Sequence, residues 1–153
     1  MEKDDAIIIS HLRDNARKNL TSISKATGIP ISTIFDRIKR YDGSYIKRHT
    51  ALLDFSKLGY DMRVNIVLKV PKENREALQE FLVKTEHINS MFRINNGYDF
   101  LVDALFRNMK EVNDLMEELE QFKVKKECYY VLEDIKREAF MSDPMLVKAF
   151  YYP

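Results

Sequence analysis

Five cations, Arg37, Lys39, Arg40, Lys47 and Arg48, fall in the stretch IPISTIFDRIKRYDGSYIKRHTA, residues 29–51, against two carboxylates, Asp36 and Asp42. Cations this dense, close to the hydroxyls of Ser32 and Thr33, suit the neutralisation of phosphates and hydrogen bonding at base edges. The same residues also suit a plain solvated face, since the charges of a basic amphipathic helix usually meet only water. Asp36 weighs against a polyanion, because a carboxylate among phosphates costs affinity. It could instead accept from the amino group of a cytosine.

No other constellation asks for catalysis. His11, His49 and His87 share no metal-ligand spacing with one another or with Cys128. Cys128 lies in an apolar strand pattern and reads as core rather than as a nucleophile. Glu117, Glu118 and Glu120 crowd one helix surface, and Gly28, Gly43, Gly59 and Gly97 are isolated, so no phosphate-cradling loop forms. The chain is expected to be no enzyme and to need neither metal nor cofactor.

The composition fits that reading. The chain has 153 residues, 45% of them hydrophobic and 32% charged, which suits one or two small globular domains. Its net charge of +1 divides into about +4 over residues 1–60 and −3 over the rest, a basic half facing an acidic one. No apolar run reaches the roughly 18 residues of a membrane span. The first residues, MEKDDAIII, are acidic and unlike a secretory signal. A single cysteine fits a reducing compartment, so the expected location is cytoplasmic.

The elements that must position the cations follow from periodicity. Asp4 or Asp5 can cap a helix to about Asn15 that shares Ile8, Ile9 and Leu12 on one face. Thr21 or Ser22 can cap a short second helix that ends at Gly28. A third opens at Pro30, with Ile31, Ile34, Ile38 and Tyr41 as its apolar stripe. Two short helices joined by a glycine turn after a longer one form the pattern of a helix-turn-helix. In such a unit the N-terminal part of the last helix meets base edges in the major groove. Here that part carries Ile31, Ser32, Thr33, Asp36 and Arg37, with Lys39 and Arg40 beyond them at phosphate distance. After Gly43-Ser44, YIKRHTALLDF reads as a β-rich wing bearing Lys47 and Arg48.

From Met62 the period changes. Val64, Ile66, Leu68 and Val70 alternate with polar residues as a strand, and ENREALQEFLVKT is helical. INSMFRIN and YDFLVDALF are strands about the turn Asn95-Asn96-Gly97. A helix carrying Val112, Leu115, Met116 and Leu119 and a final strand in VKKECYYVLEDI complete the order β-α-β-β-α-β. This is the ferredoxin-like arrangement, with both helices on one face. Val67, Met91, Leu101, Leu105, Tyr129 and Val131 are assigned to the other face, mixed with Asp103 and Arg93. Two apolar faces with helices for only one imply a sheet-on-sheet homodimer.

In this order LRDNAR (12–17), SISKATGIP (22–30), RIKRY (37–41), ALLDFSKLGYD (51–61) and NGYDFLVDALF (96–106) resemble the Lrp/AsnC family of transcriptional regulators, over roughly residues 4–138. The resemblance implies an α+β chain: a winged helix-turn-helix DNA-binding domain (1–50) followed by a ferredoxin-like ligand-sensing and dimerisation domain (62–138). A strand linker (51–61) would join them; beyond the family's fold, a C-terminal extension (139–153) is expected to pack on a neighbouring subunit or to trail as a partly ordered tail. It implies a sequence-specific regulator of double-stranded DNA, contacting it through Ser32, Thr33, Asp36, Arg37, Lys39, Arg40, Lys47 and Arg48. The partner chain would be a second copy, with dimers assembling into tetramers or octamers. An amino-acid effector would sit at Asn95, Asn96, Gly97, Tyr98 and Asp99. Three departures from the family stand out: only Tyr98 separates Gly97 from Asp99, where the family often has two residues, so that Asn96 sits where the glycine would be; the connection at Gly43-Ser44 is one residue short; and EAFMSDPMLVKAFYYP extends past the family's fold. The alternative is an amino-acid-binding or assembly protein whose DNA binding is weak and architectural. A small ferredoxin-like enzyme is disfavoured by the missing catalytic groups.

Overall fold

The computed structural model describes residues 2–151 and divides into two compact units. One holds the chain up to Ala51 and again from Ile135 onward; the other holds Leu52–Asp134.

The first unit opens with α1 (Lys3–Asp14), α2 (Leu20–Thr27) and α3 (Ile31–Tyr41). The caps differ from those expected. Glu2 precedes α1, and its N–H donates to Asp5 Oδ2 at 3.2 Å, so Asp4 and Asp5 lie inside the first turn. Carboxylates are favoured there by the positive end of the helix dipole. Asn19, not Thr21 or Ser22, caps α2 by accepting from the Ser22 N–H at 2.8 Å. Gly28 ends α2 with φ +77°, a left-handed cap that glycine adopts without cost. Pro30 stands as the N-cap of α3 rather than in its first turn. Ile7, Ile8, Ile23, Ile34 and Tyr41 make the core between these helices.

Beyond α3 the chain turns tightly, with Ile46 N–H donating to the Tyr41 carbonyl at 2.9 Å and one bridge between Asp42 and Ile46. Residues 47–55 then run without regular structure, and Ser56–Leu58 is a short 3-10 turn. The wing is therefore a turn and an arm rather than β-rich, and residues 51–61 form no strand. A strand needs a ladder partner, and none pairs with this segment among the described residues. Leu52 and Leu53 stay exposed on it.

In the second unit, β1 (Met62–Lys69), α4 (Arg75–Lys84), β2 (Ile88–Arg93), β3 (Phe100–Phe106), α5 (Met109–Leu119) and β4 (Lys125–Tyr130) build one antiparallel sheet in the order β2-β3-β1-β4. Val64, Ile66, Leu68, Phe100, Val102, Ala104 and Phe106 pack against Leu78 and Leu82 of α4 and Val112, Leu115 and Leu119 of α5. Each fully buried Val, Leu, Ile or Phe side chain among these contributes about 1.5–3 kcal/mol. Cys128 joins this core, its Sγ 3.6 Å from Met116 Sδ, and burial pushes its thiol pKa up.

The helix-free face needs one correction. A β-bulge between Ile88 and Ser90 sets Met91 opposite Val102 and Arg93 opposite Phe100, both on the helix side. Phe92, opposite Leu101, takes Met91's expected place on the other face. One extra residue reverses every side chain that follows it, which alternation alone does not reveal.

The C-terminal segment ends in α6 (Pro144–Tyr151), and Asp143 Oδ1 accepts from the Met145 and Leu146 N–H groups at its start. The segment belongs to the first unit and packs on α1, with Val147 buried. Arg13 of α1 donates to the Glu138 carbonyl at 2.8 Å and the Phe140 carbonyl at 3.1 Å. Residues 139–151 are thus an ordered part of the helical unit; the expected extension's last two residues lie outside the described ones.

Candidate nucleic-acid interface

The outer surface of α3 consists of two rows of residues, each spaced one helical turn apart. One is Ile31, Phe35, Lys39; the other is Ser32, Asp36, Arg40, and all six are exposed. Thr33 is half-buried beside them, while Ile34 and Tyr41 face the core. Ile31, 46% exposed, lies outside the apolar stripe to which its spacing assigned it. Lys47 and Arg48 are exposed on the arm after the turn. Lys39, Arg40, Lys47 and Arg48 form no ion pair within the described residues, and neither does Asp36. Asp42 instead holds His49 at 3.1 Å.

Arg37 stands apart from this surface. Its side chain is only 14% exposed, and its Nη1 donates to Asp5 Oδ1 at 2.6 Å and lies 2.9 Å from Glu2 Oε2. Its Nη2 lies 3.6 Å from Asp4 Oδ2. The Tyr41 hydroxyl donates to the same Asp5 oxygen at 2.6 Å. Burial works against the charge on Asp5 and is the largest single influence on it. Hydrogen bonds from Tyr41, Arg37 and the Glu2 N–H together outweigh that burial and hold the carboxyl below its ordinary pKa. The Arg37 pKa rises, chiefly through its hydrogen bond to Asp5, and that of Tyr41 rises through burial and its bond to the same carboxylate. The cluster joins the first turn of α1 to the middle of α3.

The β2–β3 turn is equally well defined. Asn96 (φ +65°) and Gly97 (φ +90°) occupy its centre in left-handed conformations, as a two-residue hairpin turn requires. Asn95, Asn96 and Gly97 are exposed; Tyr98 is half-buried, and its hydroxyl donates to Glu127 on β4. The Asp99 carboxylate is already occupied. Its Oδ2 accepts from the Val70 N–H at 2.9 Å, and its Oδ1 holds Arg75 Nη2 at 2.8 Å. Both oxygens fasten the end of β1 and the start of α4 to β3.

Sequence reasoning missed Phe35 and the partners of Arg37. Phe35 was legible four residues after Ile31 and off the buried stripe. Asp5 was read as a cap, and nothing in its local sequence points to a residue thirty-two positions away.

No family model matches the chain. The regulator FL11 of Pyrococcus abyssi is 31% identical over 118 residues, spanning 76% of this chain and 78% of FL11. The chain belongs to the Lrp/AsnC family of helix-turn-helix transcriptional regulators. Structures of this Lrp/AsnC fold superpose closely. Bacillus subtilis LrpC gives a TM-score of 0.82 at 15% identity, covering 89% of this chain and 97% of LrpC. A Neisseria meningitidis transcriptional regulator in complex with L-methionine gives 0.81 at 22% identity, covering 90% and 93%. As a member of the Lrp/AsnC family, this chain is a transcriptional regulator and not an enzyme. None of its described helices is long and apolar enough to cross a membrane.

The cluster at Arg37 carries a pH signature. A depressed Asp5 pKa adds stability that is complete above the ordinary carboxylate value, near pH 4, and is lost as pH falls through the lower folded-state value. The Asp5→Asn protein should be less stable at pH 7 by roughly 3 kcal/mol, the low end for a broken buried pair, because Glu2 and Asp4 remain beside Arg37. Its melting temperature should also fall less than wild type's between pH 5 and pH 2. Parallel melting curves for the two proteins across that range would show that the cluster contributes nothing.

Proposed function

We propose that the chain is a sequence-specific regulator that binds a pseudo-palindromic duplex as a homodimer, with the outer face of α3 in the major groove. What carries the reading is the pair of rows on α3, whose cations are exposed and carry no partner acid among the described residues. Lys39, Arg40, Lys47 and Arg48 contact phosphates; Ser32, Thr33 and Asp36 face base edges, Asp36 as an acceptor for a cytosine amino group. Arg37 fixes the helix on α1 instead of reaching the duplex. Eight phosphate contacts in a dimer correspond to a salt slope of about −7.

The dimer forms through the helix-free sheet face. Phe92, Leu101, Val67, Leu105 and Tyr129 lie on it around a charged centre. There Arg63 grips Asp103 through Nε at 2.7 Å and Nη2 at 2.9 Å, and Asn89 donates to the same carboxylate at 2.7 Å. Asp103 is only 7% exposed, so both charges are already satisfied before a second copy covers them. Dimers of this kind can assemble into tetramers or octamers, and the site of action is the cytoplasm. An amino-acid effector is read at Asn95, Asn96, Gly97 and Tyr98, with Asp99 ordering the turn; that a similarly folded Neisseria regulator forms a complex with L-methionine supports an effector of this class. The unpaired Asp36 in the middle of the DNA face favours the second reading, an amino-acid-binding or assembly protein with weak, architectural DNA binding.

Selection from random duplexes separates the two. A pseudo-palindrome should be enriched, and Lys39→Ala should weaken binding to every duplex alike while reducing the salt slope by about one unit per protomer. No enrichment, or an unchanged slope, would favour the second reading. Wild type should sediment as a dimer or larger, and Leu101→Asp as a folded monomer. A Leu101→Asp protein of unchanged size would place the interface elsewhere.

A further inference from the structure

Ile31 and Phe35, 46% and 55% exposed, adjoin on the outer face of α3, and neither belongs to the core cluster of the helical unit. Scattered exposed hydrophobic residues are ordinary, but an adjoining pair on an otherwise polar surface is not explained by folding. The pair occupies the first turns of the helix, level with Ser32, and its row ends in Lys39. A phenyl ring and a sec-butyl group cannot hydrogen-bond to base edges. The one apolar group that standard bases offer in the major groove is the C5-methyl of thymine.

We propose that Phe35, with Ile31 beside it, reads thymine in each half-site by packing against its C5-methyl group. The inference rests on α3 being the base-reading helix, and it adds a specificity determinant unlike the hydrogen-bonding residues. Polar neighbours read donors and acceptors; Phe35 discriminates by the presence or absence of one methyl. Lys39, a turn further along the row, then falls at the phosphates that flank the thymine.

The test replaces each thymine of the enriched duplex, one at a time, by deoxyuridine, which removes the methyl and keeps every hydrogen-bonding group. Wild type should lose about three- to fivefold in affinity at one or two positions per half-site, the expected worth of one buried methyl. Phe35→Ala should bind the thymine and deoxyuridine forms of those positions equally, and Phe35→Leu should keep part of the difference. Phe35 is half exposed and outside the core, so both variants should melt like wild type. Wild type that tolerates deoxyuridine everywhere overturns the inference, as does Phe35→Ala that retains the full difference. A change in oligomer size on Phe35→Ala without any change in deoxyuridine sensitivity also overturns it, in favour of a protein contact. If the salt slope responds to Lys39→Ala in the same preparations, the reading of α3 stands whatever the methyl experiment gives. Absence of duplex selection by wild type instead removes that reading itself.

Discussion

The ion pair between Asp5 and Arg37, 2.6 Å long and largely out of water, is the contact on which the helical unit's geometry depends. It ties the start of α1 to the middle of α3, with the Tyr41 hydroxyl on the same carboxylate oxygen. The surrounding apolar cluster of Ile7, Ile8, Ile23, Ile34 and Tyr41, with half-buried neighbours, is small. Apolar packing of that size is not directional and leaves a helix free to rotate by small angles. Directional hydrogen bonds to a charged group hold the two helices at one spacing, and removing Asp5 leaves a largely buried guanidinium with only Glu2 and Asp4 beside it. The orientation of the two outer rows of α3 therefore follows from a contact on its inner side.

The same device recurs in the second unit. Arg63 holds Asp103 across β1 and β3, and Arg75 holds Asp99 between α4 and the β2–β3 turn. Each pair joins segments distant in the chain, and each uses an arginine fork that would otherwise serve as a ligand for an anion. In all three pairs the carboxylate is the more deeply placed partner, with side-chain exposures of 11%, 10% and 14%. Among the described residues, Lys39, Arg40, Lys47 and Arg48 have no such acidic partner. At the helix-free sheet face, the Arg63–Asp103 centre is paired within the chain, among apolar neighbours that include Val67, Leu101 and Leu105.

Much of the fold was legible because side-chain period is a local property. Alternation around Val64–Val70 and Phe100–Phe106, and three-and-four spacing around Val112–Leu119, mark which face each residue takes. The Asn96-Gly97 turn is equally local, because it needs two left-handed residues in succession. What escaped is non-local or depends on one residue of register. The bulge at Ile88/Ser90 exchanged Met91 for Phe92, and the helix caps lay a few residues outside the positions expected. The C-terminal segment is bound by Arg13, more than a hundred positions away, and its own composition cannot reveal that. Within the candidate site, exposed cations were identified by type, while the removal of Arg37 from the surface needed three-dimensional knowledge of Asp5.

The most direct measurement follows the arginine guanidinium resonances by nitrogen-edited NMR while the enriched duplex is titrated in. Arg40 and Arg48 should move as they meet phosphates, and Arg37 should hold its position through saturation. Movement of Arg37, with loss of its coupling to Asp5 as the duplex binds, would mean that it leaves α1 for the DNA and that the inner contact does not set the recognition surface.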